Sequence, residues 1–144
     1  MKSLSTIILS IAISTQLYSQ ELSKDAFIGT WKVIDSRTMP EMEMELDAEG
    51  QMMMEQMREG FIGTIFNFKD NNEFTVKFSA NGSLVMKELS FINNKNWKIS
   101  KDQKIAIGTE KDNYTLMFIN VLIKQGKKYF VIDETPFILE VIEL

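Results

Sequence analysis

The chain has 144 residues, 44% of them apolar and 25% charged, with no cysteine and no histidine. That length and composition fit one globular domain. The missing residue types exclude disulfide frameworks, thiolate zinc sites, cysteine nucleophiles and every histidine-based triad or zinc hydrolase.

The first residues read as a targeting segment. Met1-Lys2-Ser3 is a short basic start, residues 4–14 are an apolar run, and the polar stretch TQLYSQ follows. This layout predicts a secretory signal peptide over 1–19, cleaved after Ser19, with a run too short to span a bilayer comfortably. An N-terminal membrane anchor is the competing reading. No cysteine is present to carry a lipid. The expectation is a domain over 20–144, exported to the periplasm or secreted, with no membrane anchor in its mature form. Only Lys2 is lost with the leader, so the mature charge becomes −5 from −4. A net acidic chain is a poor partner for nucleic acid or an anionic membrane.

From residue 28 onward the pattern is that of short strands. IGTWKVID over 28–35 is rich in β formers, and FIGTIFNFK (61–69) meets EFTVKFS (73–79) through Asp70-Asn71-Asn72. In the latter, Phe74, Val76 and Phe78 alternate with polar residues, as a half-buried hairpin strand requires. Asn81-Gly82 predicts a tight turn into a strand over Ser83–Leu89. Asn93-Asn94 precedes Trp97-Lys98-Ile99, and Ile105 and Ile107 alternate with small residues. Residues 114–123, YTLMFINVLI, are apolar on both faces, which predicts a strand covered on its second face as well. Gln125-Gly126 and Thr135-Pro136 mark the last turns before FILEVIEL. Eight or nine strands at hairpin spacing predict an all-β antiparallel meander, closed into an up-and-down barrel that leaves no exposed edge. A β-sandwich is the alternative.

One segment breaks the rhythm. Residues 40–59, PEMEMELDAEGQMMMEQMRE, open with proline, are followed by Gly60, and consist of strong helix formers. Seven of the ten methionines lie between 39 and 57. At helical spacing Met39, Met42, Leu46, Met53 and Met57 fall within roughly a 60° arc, with Met54 at its edge. Segment 41–59 holds seven acidic residues against Arg58, a net of −6, which leaves the rest of the mature chain at +1. An amphipathic, methionine-rich, acidic helix between the first and second strands is expected.

Small barrels either fill with side chains or hold one small ligand. The inward candidates Phe66, Phe68, Phe74 and Phe78 would line an apolar cavity. Met53 and Met57, with adaptable thioethers, would close it as a lid or plug its open end. Met42-x-Met44 and Met52-Met53-Met54-x-x-Met57 could alternatively hold Cu(I) or Ag(I) by sulfur, and the acidic face could dock a basic protein while the barrel stays filled. No spaced calcium loop, phosphate-cradling glycine loop or nucleophile elbow occurs, and no carboxylate pair stands out. Neither catalysis nor a cofactor is expected. Asn81-Gly82-Ser83 and Asn113-Tyr114-Thr115 match glycosylation sequons but read as turn and strand residues.

The segment Phe27-Ile28-Gly29-Thr30-Trp31-Lys32-Val33 resembles the G-x-W first strand of lipocalins. The layout over 27–143 resembles the small lipocalin-like domains of exported bacterial proteins. Those share an early GTWK strand, a Met- and Glu-rich insert, a hairpin like Phe74–Gly82, a W-x-I like Trp97-Lys98-Ile99 and an apolar closing strand. The resemblance implies a barrel binding a small hydrophobic molecule without catalysis, with Gly29 and Trp31 as the structural motif at its closed end. The arginine that lipocalins commonly place over this tryptophan has no counterpart near the last strand, which leaves Lys127 or Lys128 to supply the cation. Lys111-Asp112-Asn113-Tyr114 stands where those proteins carry Thr-Asp-Tyr.

Overall fold

The computed structural model describes residues 22–39, 46–79 and 84–144. They form eight strands: β1 (Gly29–Thr38), β2 (Ile65–Phe68), β3 (Glu73–Lys77), β4 (Lys95–Ile99), β5 (Ile105–Gly108), β6 (Met117–Lys124), β7 (Lys127–Ile132) and β8 (Phe137–Glu143). Each pairs antiparallel with the next, and β8 returns to β1 to close an up-and-down barrel. Closure is what a meander of this length gains by removing its two edges. The fold is all-β and consistent with a lipocalin-like barrel.

Connections alternate between the two ends. At the base lie the one-turn helix α1 (Lys24–Phe27) and the turns β2–β3, β4–β5 and β6–β7. The other end carries the fourteen-residue helix α2 (Ala48–Phe61) between β1 and β2, and α3 (Leu84–Lys87) between β3 and β4. The β5–β6 and β7–β8 loops also lie there. In the β5–β6 loop, the Asp112 carboxylate accepts from the amides of Thr109 and Thr115, each at 3.1 Å. These bonds hold its carboxyl below the ordinary carboxylate range, the Thr109 amide contributing most.

Several sequence expectations change. The predicted signal peptide, residues 40–45 and Asn81-Gly82 lie outside the described residues. Helix α2 begins at an Asp47 cap, whose carboxylate accepts from the Gly50 amide, and it continues past Gly60 to Phe61. The first residues of the expected strand 61–69 therefore belong to the helix and its exit. The expected strand over Ser83–Leu89 is instead α3 followed by a 3-10 turn, Glu88–Ile92. Its buried residues recur every third position, Met86, Leu89 and Ile92, which suits a helical turn and not the two-residue period of a strand. Strand β6 is uncovered at its far end, where Leu122 is 42% and Ile123 59% exposed.

Strand β1 contains a bulge between Val33 and Asp35. Before it, the buried residues are Trp31 and Val33; after it, Ser36. The one extra residue, Ile34, keeps Asp35 and Arg37 from turning into the core.

Candidate functional site

The base is built by aromatic residues from five strands and α1. Trp31 is buried, its indole N–H donates to the Phe27 carbonyl at 3.0 Å, and the Lys128 ammonium lies 4.7 Å from its ring centre. Trp97 repeats the pattern: its indole donates to the Lys69 carbonyl at 2.9 Å, with Lys24 at 5.7 Å from the ring. The cation over the first tryptophan is thus a lysine from β7. Gly29 lies in the ladder opposite Phe68, where the Glu143 carboxylate leaves little room for a side chain.

Phe66, Phe68 and Phe74 each have 0% exposure and pack as one cluster with Phe130 and Trp97. Their ring centres lie 5.1–6.5 Å apart. The structure thus brings these rings together in the base half, where four phenyl rings and an indole pack against one another. Phe78, beyond the end of β3, is only half-buried and packs against the edge of the core.

The other end is closed by side chains on α2. Met54 and Met57 pack against the core, and Phe61 meets Phe137 with ring centres 5.5 Å apart. Met53, expected in the closing stripe, is 49% exposed, and Met52 is also exposed. The inward face runs through 54, 57 and 61, one residue over from the expected arc, because Phe61 joins the helix and its large ring fixes the rotation. Among the described residues the thioethers of α2 therefore divide between two faces and do not converge on one point, as a soft-metal site would need. Described groups of His, Cys, Asp or Glu that could hold a metal ion are likewise lacking.

Arg58 fastens the helix to the wall, donating from Nη1 to the Ser36 carbonyl at 3.0 Å while pairing with Glu55. The Glu55 hydrogen bond raises the arginine's pKa, and the same bond lowers that of Glu55. Beneath this clamp lie two hydroxyls that sequence reasoning missed. Ser36 on β1 and Thr64 just before β2 are both buried, and neither hydroxyl has a hydrogen-bond partner among the described residues. Ser36 lies in register with Leu139, and Thr64 is two residues before Phe66, so both occupy inward-facing positions. No family profile, curated protein or solved structure matches the chain.

Proposed function

We propose that this is an exported, non-enzymatic binding protein that takes a small, largely apolar molecule beneath α2, at the end of the barrel opposite Trp31. The observation that carries this reading is the pair of buried hydroxyls on Ser36 and Thr64, which have no partner among the described residues. Nearly all buried polar groups are paired, and leaving one unpaired costs about 1–3 kcal/mol. A ligand with one polar group would recover that cost while its apolar body replaced displaced side chains.

The groups that must move suit the task. Met54 and Met57 are unbranched and polarizable, so they can repack around an irregular guest. Phe78 lies at the same end, and Phe66, Phe68 and Phe74 supply a rigid floor. Affinity would come from apolar surface removed from water, roughly 25 cal/mol per Å². The apolar N-terminal run supports export as the route to the working compartment.

Native mass spectrometry of the protein purified from a host periplasm without detergent tests the reading. A discrete extra mass that organic extraction removes is expected. A bare protein mass, unchanged after incubation with fatty acids, terpenoids and indoles, would overturn it.

A further inference from the structure

The interior beneath α2 holds polarity without charge. Among the described residues the buried polar side chains are Ser36 and Thr64, at 1% and 0% exposure, and no charged side chain is buried. The two stand on adjacent strands. The Val33 amide donates to the Thr64 carbonyl at 2.9 Å, which places Thr64 beside Val33, and Ser36 is the next inward residue of β1. Neither hydroxyl bonds to the other.

The cations at this end are paired or turned outward. Arg58 donates from Nε to both Glu55 oxygens, at 3.0 and 3.1 Å, and its Nη2 lies 3.7 Å from Glu59. Arg37, Lys77, Lys87 and Lys111 are exposed. Lys95 is half-buried, but it lies in register with Phe74, level with the aromatic floor. Residues 40–45 and 80–83, the parts of the α2 and α3 connections outside the described set, contain no lysine or arginine. Segment 41–59 carries seven acidic residues against Arg58, so the approach to this end repels anions.

We propose that the molecule held beneath α2 carries an uncharged polar group, an alcohol or a carbonyl, and that acids and amines are rejected. This rests on the binding reading given above and adds to it the chemical class of the ligand. A hydroxyl both donates and accepts, so Ser36 and Thr64 can meet an alcohol in either sense or donate to a carbonyl oxygen. A carboxylate would carry a full charge in among these hydroxyls, and burying an unpaired ion costs far more than burying a hydroxyl. An ammonium ion meets the same obstacle. Its nearest counter-charges, Glu55 and Glu59, are exposed on α2 and already face Arg58.

Isothermal titration calorimetry tests this, on the chain purified after export with its N-terminus established by mass. Decanol, decanoate and decylamine share one chain length and differ in their head groups; at pH 7 the acid and the amine are both charged. Decanol should bind about a hundredfold more tightly than either ion. Ser36→Ala with Thr64→Val should weaken decanol about tenfold, since a hydrogen bond between neutral groups is worth roughly a factor of two to ten. The head-group comparison needs no variant, so it decides even where the double substitution unfolds the chain. Decanoate or decylamine binding as tightly as decanol would overturn the proposal and leave a carrier of charged molecules. Decanol binding that a folded double variant leaves unchanged would also sink it, by placing the head group elsewhere. Binding by none of the three would remove the carrier reading and this proposal together.

Discussion

Ser36 and Thr64 place two hydroxyls in the barrel interior. Each is buried without a hydrogen-bond partner among the described residues. Replacing Ser36 by alanine should therefore raise stability by up to about 1 kcal/mol, read as a higher urea midpoint, because an unsatisfied group is removed and little volume is lost. The same substitution should weaken retention of a co-purified ligand several-fold in native mass spectrometry. Stability and affinity moving in opposite directions is the expected signature; a loss in both would mean the hydroxyl serves the fold. Trp31 was legible in the sequence because its G-x-W setting is local. Ser36 and Thr64 were not, since the property that distinguishes them is a missing contact, and contacts belong to three dimensions.

Among the described residues helix α2 is attached through Arg58 to the Ser36 carbonyl, Phe61 against Phe137, Met54 and Met57 against the core, and the close approach of Gly60 to Met86. A β-carbon on Gly60 would come within 2.6 Å of the Met86 side chain, so glycine there sets how near α2 and α3 can lie. Arg58→Gln should accelerate amide exchange across 48–61 at least tenfold while leaving β1 and β8 protected, because it unfastens the helix without touching the barrel core. Exchange accelerated equally everywhere would show the helix to be part of the global folding unit. The existence of this helix was plain from its composition. Its rotation was not, because Met52, Met53 and Met54 are consecutive and any of the three could begin an apolar stripe. The turn over 84–92 was misread because Asn81-Gly82 is a strong hairpin signal, while the three-residue repeat of Met86, Leu89 and Ile92 is too short to outweigh it.

As a whole the barrel wall is uneven. β1 and β8 share seven paired residues, whereas β3 and β4 share two, Glu73 with Asn96 and Phe74 with Lys95. Beyond Phe74 the gap is bridged by side chains: the Asn93 carboxamide accepts from the Val76 amide at 2.9 Å, and Met86 and Ile92 pack beneath. Hydrogen exchange should find Thr75–Lys77 opening well before Val33–Thr38, a ranking set by ladder length. The closed architecture was readable because hairpin spacing repeats along the chain and a long meander has few other ways to cover its edges. The seam was not readable, since pairing length depends on where two strands diverge, which neither strand encodes alone.

The bulge in β1 bears on how the chain can change length. Removing one residue from a strand ordinarily turns every later side chain over. Here Ile34 is the surplus member: Val33 is opposite Val141 and Asp35 is opposite Glu140, with nothing opposite Ile34. Excising Ile34 would join these two pairs into an unbroken ladder and leave Trp31, Val33 and Ser36 all facing inward. A variant lacking Ile34 should keep its near-ultraviolet tryptophan signal, whereas one lacking Lys32 should lose it, because that cut sends Trp31 and Ser36 to opposite faces. The strand has thus a single position at which evolution could shorten or lengthen it by one residue and still recover the same interior.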